Sequence, residues 1–408
     1  MTKNRTARAA LAALAAIVAL SFTGCATTGS DDATAAGVAT EAECPGASTP
    51  FDQLELAADV RAIEGPSTAC LADTGLPVIE SAEASAVPLT VVGVDGVGAT
   101  VESTERILPI DITGTIAATV FSLGLGDQVV GRDSSTGFPE AAGLPEVTQE
   151  GHTLSAEAVL SLDPTVVITD TTLGPRDALA QLRDAGIPVV IVTKERSVEN
   201  IGELVDQIAA ALGVPERAEL LKSAMDADLT AVTTPIEASI PADPADRPRM
   251  IFLYVRGSAN VYYLFGEESG ADSLINAVGG FDVAGEIGWE GMRPVTAEAL
   301  VQAAPDVVLV MTEGLASTGG VDGLLERLPA LAATPAGQHR RIVDMADTEI
   351  LGFGPRTPAV VDALARAVYA PDTVATASGT GTGTSTSTGT GTSTSTGTGT
   401  GTAEGTDG

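Results

Sequence analysis

Histidine, cysteine and aromatic residues are scarce in this sequence: 2 His, 3 Cys and only 8 Phe, 4 Tyr and 1 Trp in 408 residues. Two histidines and three cysteines exclude a multi-histidine zinc cage, a C-x-x-C pair and a cysteine-ligated iron–sulfur cluster. Any metal here has to be held by very few side chains. Positive charge is also sparse, with 21 Lys+Arg against 54 Asp+Glu and a net charge of −33. A surface that tracks phosphates needs clustered Lys and Arg, and the absence of such a cluster argues against nucleic acid or anionic lipid as partner. No acid–base constellation stands out, so nothing marks the chain as an enzyme. The length allows one large or two medium domains.

Residues 1–25 carry Lys3, Arg5 and Arg8 and no acid, continue into an apolar run from Ala9 to Phe22, and reach Thr23-Gly24-Cys25. The run is shorter than the roughly 20 residues that span a bilayer, and it reads as an export signal. The small residues before Cys25 resemble a bacterial lipobox, with Phe22 where Leu is usual, which makes Cys25 the lipidated first residue of the mature chain. The membrane is then met only through that anchor, at the extracellular face. Without the signal, 18 bases face 54 acids, a net of −36. Cys44 and Cys70 remain in an oxidising compartment, either as a disulfide pair or as two free thiols.

The chain divides into a signal peptide (1–25), a small polar tether (26–43), an N-terminal extension (44–87), a first lobe (88–196), a linking helix (197–232), a second lobe (233–372) and a tail (373–408). From Ser378 to Thr402 the tail holds only Gly, Ser and Thr, too little apolar area to offset the entropy of ordering it. Within the body, β-branched runs alternate with amphipathic segments. Gln128–Arg132, Val166–Thr169 and Val189–Val192 read as buried parallel strands, and Thr115–Leu123, Ser155–Leu162 and Pro175–Ala185 as helices. A helical stretch from Val198 to Leu229 follows, with Gly213 as a possible break, before strands resume at Met250–Tyr254 and Val307–Val310. An internal repeat relates Leu154–Leu160, Pro164 and Val166–Ile168 to Val295–Val301, Pro305 and Val307–Leu309 at a constant offset of 141. The fold class is α/β: two lobes joined by a long helix, with a site between them where the strands' carboxyl ends open.

On these features the chain resembles the substrate-binding lipoproteins of class III ABC importers, which take up haem, cobalamin and ferric siderophores. Gly151-His152-Thr153-Leu154, Tyr254-Val255-Arg256, Met311–Leu315 with Gly319–Gly323, and Gly352–Pro358 resemble the haemin-binding branch, especially its actinobacterial members. The resemblance implies a bilobal periplasmic-binding-protein-like fold, ferric haem b as the transported ligand, and an ABC permease with its ATPase as partners, with upstream haem-binding surface proteins as a further possibility. It also implies an axial His from the first lobe, an axial Tyr from the second, and an Arg that supports the Tyr.

Alternation along the strand puts Tyr254 and Arg256 on one face. A phenolate is a hard ligand suited to ferric iron, and a neighbouring guanidinium favours the ionised phenol. His152, in a loop before the cap residue Ser155, offers a neutral imidazole, whereas His339, among Gln338, Arg340 and Arg341, reads as surface. Glu157 and Glu298 sit in the first turns of the repeated helices, where the helix dipole alone would favour them. Their recurrence once per lobe suits permease docking, the use the family makes of such glutamates. Met311 ends a buried strand, which fits core filling as well as haem contact. Arg356 precedes Thr357-Pro358, a helix N-cap and N1 pair, which fits a helix boundary as well as a propionate contact.

The alternatives are a ferric-siderophore or corrinoid receptor of the same class, a haem enzyme or sensor, and a structural surface protein. Mass spectrometry under non-reducing alkylation is expected to find Cys44 and Cys70 unmodified and linked. Alkylation of both would refute the pair.

Overall fold

The computed structural model describes residues 49–374 except Ala82 and Glu150. The signal segment with Cys25, the tether, Cys44 and the Gly/Ser/Thr-rich tail lie outside the described residues. Among the described residues no helix is long and apolar enough to cross a membrane. Cys70 is disulfide-bonded, and its pairing with Cys44 remains a proposal.

The first lobe is built on three parallel strands, Ile107–Ile110, Val166–Thr169 and Val189–Ile191, in that spatial order. The run Gln128–Arg132, expected as a further strand, forms only isolated bridges from Val129 to Ile107 and from Arg132 to Glu146. After the Val130 amide has bonded to the Ile107 carbonyl, Arg132 turns to the Pro145 carbonyl instead. The expected helix at Thr115–Leu123 is helical over Thr115–Val120 and loosens through Phe121–Leu125, where Gly124 takes φ +75°.

The stretch from Val198 to Leu229 is two helices, Ile201–Leu212 and Pro215–Ser239. Gly213 separates them at φ +67°, and a Cβ there would lie 2.8 Å from the Ala86 amide nitrogen, so the break needs glycine. Pro215 then opens the linking helix, at the one end where a missing N–H costs nothing.

The second lobe holds a larger sheet, ordered Ser67–Ala69, Ile342–Met345, Val307–Met311, Arg249–Arg256, Val261–Phe265 and Met292–Pro294. The first four run parallel and the last two antiparallel to their neighbours. Its edge strand comes from the N-terminal extension. The extension also crosses to the first lobe, where the Ile79 amide bonds to the Ser122 carbonyl, and the Glu83 carboxylate caps the linking helix by accepting from the Glu216 and Arg217 amides at 3.2 and 3.0 Å.

Strand alternation divides the apolar side chains into a shared core and two separate ones. Ile107, Val166, Ile168 and Val190 of the first sheet and Met250, Phe252, Val307, Leu309 and Val343 of the second belong to one cluster, joined by Leu204, Ile208, Leu221 and Ile236 of the two middle helices and Leu364 of the last helix, Thr357–Tyr369. The alternate residues, Leu108, Ile110 and Val167 in one lobe and Ile251, Leu253 and Val308 in the other, face away into cores of their own.

The repeat recurs in three dimensions. Helices Ala156–Ser161 and Ala297–Ala303 are capped by Ser155 and Thr296, which accept from the Ala158 and Ala299 amides at 3.2 and 3.1 Å. Beyond each helix, Asp163 and Ala304, again 141 apart, both take positive φ, at 46° and 41°. Each repeat then enters a parallel strand.

Arg341, in a segment read as surface, is 1% exposed. Its guanidinium donates to the Gly65, Ala367 and Val368 carbonyls and the Ser67 hydroxyl, tying the extension to the end of the last helix. Burial lowers its pKa to about 10, so it stays charged at neutral pH. His339 is half-buried, with Nδ1 2.9 Å from the Arg61 carbonyl oxygen, and takes no part in the cleft. Arg341→Ala removes the donor from four acceptors, of which the Ala367 carbonyl keeps the Ser67 hydroxyl, and should cost about 3 kcal/mol. A thermal melt several degrees lower, with faster proteolysis between Val60 and Leu76, is the expected outcome; an unchanged melt would contradict it.

Candidate functional site

Tyr254 and Arg256 lie at the carboxyl end of the central strand of the second lobe. Leu253 and Val255 are buried on the outer face, while Tyr254 and Arg256 are half-buried on the face that continues from Phe252. The Tyr254 ring stacks on Phe265 at 6.2 Å and meets Tyr263 edge-on at 6.5 Å. The Arg256 guanidinium lies over the Tyr254 ring, 4.5 Å from its centroid. It is fixed there by Asp347 at 2.9 Å, by the Val255 carbonyl at 2.9 Å and by the Met311 sulfur at 3.8 Å. Asp347 is itself held by the Glu313 amide at 2.9 Å.

His152 ends the tight turn of a small hairpin in the first lobe, between Thr148–Gln149 and Thr153–Leu154. Gly151 before it has φ +86°, a conformation that glycine adopts without strain. His152 is partly open to solvent. Ser134 donates its hydroxyl hydrogen to the Gly151 carbonyl, and its oxygen lies 3.4 Å from His152 Nδ1. With that hydrogen committed, the oxygen can accept from an Nδ1–H, the tautomer that leaves the Nε2 lone pair free for a metal. Partial burial and the charge of Arg256 both lower the His152 pKa below its ordinary value. His152 of one lobe and the Tyr254–Arg256 pair of the other thus share one electrostatic neighbourhood.

Three buried carboxylates, Asp111, Asp133 and Asp170, lie in the same lobe as His152, two of them paired with one guanidinium, Arg196. Arg196 Nη2 lies 3.2 Å from Asp111 and 2.9 Å from Asp170. Asp133 accepts from the amides of Asp111, Ser135 and Thr136, and its pKa rises to about 7 through burial and the Asp111 charge. These bonds fix the loop that carries Ser134. The sequence reading missed this cluster, Ser134 and Asp347. The available signal was position: Asp111 and Asp170 directly follow parallel strands, and Asp347 follows Ile342–Met345 by two residues.

Met311 is 8% exposed and touches the shared core as well as Arg256. Arg356 pairs with Glu349 at 2.7 Å, both nearly buried, and lies 5.8 Å from the Phe138 ring of the first lobe. Its charge is engaged in a contact between lobes. The expected N-cap at Thr357 is also revised: the helix begins at Thr357, whose hydroxyl accepts from the Gly354 amide at 2.9 Å, and Pro358 follows within the first turn. Around this loop the lobes touch closely, since a Cβ on Gly137 would lie 2.7 Å from Thr348 and one on Gly354 2.9 Å from Thr115. Glu157 and Glu298 are exposed in the first turns of their helices, apart from these residues.

A family model described as periplasmic binding protein matches residues 111–348, more than half of the chain. An uncharacterised ABC transporter substrate-binding lipoprotein, YvrC of Bacillus subtilis, is 27% identical over 256 residues, 62% of this chain and 76% of its own. A cobalamin-binding protein of Halobacterium salinarum is 26% identical over 208 residues, 50% of this chain and 53% of its own. Among solved structures, the haem-binding protein HmuT is 39% identical, with a TM-score of 0.71 over 76% of this chain and 99% of that one. HmuT has also been solved with one tyrosine, one histidine or one arginine replaced by alanine. By the extent of the matched model and by its two-lobed α/β architecture, this chain belongs to the periplasmic binding protein family.

Proposed function

We propose that this protein captures ferric haem b between its lobes and delivers it to the permease and ATPase of an ABC importer for haem and iron uptake, acting as a carrier without catalysing a reaction. The observation that carries this reading is Tyr254 held under the Arg256 guanidinium at a strand's carboxyl end, with His152 of the other lobe within that guanidinium's electrostatic reach. Among the described residues no group of three or more His, Cys, Asp and Glu could hold a metal ion. Iron bound here therefore has to bring its equatorial ligands with it, as haem does. HmuT, similar over most of this chain, is a haem-binding protein. The anchor on Cys25 and an extracellular location complete the proposal, in keeping with the substrate-binding lipoprotein YvrC.

On this reading Tyr254 supplies an anionic oxygen that neutralises ferric charge, and His152 Nε2 supplies the opposite axial nitrogen. Arg256 lies over the Tyr254 ring and, after burial, disfavours the imidazolium form of His152. Asp347 positions Arg256, and Ser134 positions His152. Met311 helps to hold Arg256 through its sulfur. Reduction to ferrous iron weakens the phenolate bond, since the less charged metal gains less from it.

Tyr254→Ala is expected to abolish tight haemin binding or shift the absorption spectrum strongly, and His152→Ala to weaken binding and open one coordination position. Wild-type spectrum and affinity in Tyr254→Ala would move the corrinoid or siderophore reading to first place. Acid releases haem as the imidazole takes up a proton. The lowered His152 pKa holds the imidazole neutral further into acid than an unperturbed histidine. Arg256→Ala removes one cause of that lowering, so its haem should leave at higher pH, with affinity at neutral pH down about 10–100-fold. Arg256→Lys keeps the charge and should titrate nearer the wild type. A release midpoint in Arg256→Ala that is unchanged, or moves to lower pH, would contradict the electrostatic role.

A further inference from the structure

We infer that the surface that meets the permease carries an aliphatic knob beside each docking glutamate: Leu160 next to Glu157 and Val301 next to Glu298. The inference rests on the docking role of those glutamates and adds a second, apolar component to it. Leu160 is 43% exposed and Val301 60% exposed. Each lies three residues after its glutamate, which places the two side chains side by side on a helix surface. The preceding residues, Val159 and Leu300, are buried, so each helix already has its core-facing aliphatic and presents a second one outward.

A single exposed aliphatic needs no explanation, because much of any protein surface is apolar. The recurrence does. Of the nine large hydrophobic residues that are exposed among the described ones, Leu160 and Val301 are the only two related by the offset of 141. They share with their counterparts the N-cap, the first-turn glutamate and the positive-φ residue after the helix, Asp163 and Ala304. The two lobes differ elsewhere in strand number, in their attached segments and in their cleft residues. A feature kept in both, with charge and apolar side chain in the same order, fits a partner made of two like halves. Each half would present a cation to the glutamate and an apolar socket to the aliphatic, as a two-fold permease can. The carboxylate sets orientation and speeds encounter, while the knob adds contact that salt does not screen.

The test uses the haem-loaded full chain and its permease–ATPase complex in lipid nanodiscs, with association measured at low and high salt. Leu160→Ser/Val301→Ser should weaken association by about tenfold per site at both salt concentrations. Its haemin spectrum and thermal midpoint should match the wild type. Glu157→Gln/Glu298→Gln should weaken association at low salt, with the difference shrinking as salt rises. If the glutamate pair matters and the aliphatic pair does not, the inference fails and the docking reading stands. If neither pair matters, both fail. Self-association of the free protein that disappears in Leu160→Ser/Val301→Ser would overturn the inference in favour of a second copy as occupant.

Discussion

Alternate side chains of both sheets pack against the same two middle helices and the last helix, so one apolar core runs through both lobes. A flexible crossover would let the lobes turn independently, whereas a continuous close-packed interior resists such motion because every displacement opens voids. The N-terminal extension adds a second tie. It supplies an edge strand to the second lobe, caps the linking helix with Glu83, and is pinned by the buried Arg341. The cleft is therefore a place where two side chains from distant parts of the chain can be held at a nearly fixed separation. Ligating one metal from two sides requires that.

Charge within the cleft is arranged around Arg256. In a protein with 54 acids, one guanidinium lies over a tyrosine ring and, after burial, lowers the pKa of a histidine from the other lobe. Its ion pair with Asp347 fixes its direction without removing that effect, because the His152 pKa remains lowered. On the other side of the cleft the buried Asp111, Asp133 and Asp170 set the backbone that carries Ser134. Their exclusion from solvent is tolerable because amides, hydroxyls and Arg196 satisfy them.

Much of this was legible from sequence alone, for identifiable reasons. The strands read at Val166–Thr169, Val189–Val192 and Val307–Val310, observed within one residue of those bounds, were visible because parallel strands buried on both faces leave continuous β-branched runs. The repeat was visible because caps and first-turn acids are local signals. Tyr254 and Arg256 could be paired from two-residue alternation, and His152 stood out by rarity. What sequence could not show depends on contacts between distant residues. The extension's strand Ser67–Ala69 has no strong pattern of its own and exists because Val343–Met345 offers an edge. Gln128–Arg132 looks like a strand but is drawn off by Pro145. Arg341 sits in a charged, surface-like stretch yet is buried by carbonyls from both ends of the chain. Arg356, open between a propionate contact and a helix boundary, is taken up by Glu349 and Phe138.

The central claim is that two axial ligands come from opposite lobes, Tyr254 and His152, with Arg256 over the tyrosine ring and within electrostatic reach of the histidine. A crystal structure of the ferric haem complex tests it most directly. The account predicts one haem between the lobes, its iron bonded to the Tyr254 oxygen and to His152 Nε2, with Ser134 still bonded to Nδ1 and Arg256 still over the tyrosine ring. Iron bonded to neither residue, or to two groups from the same lobe, would contradict it.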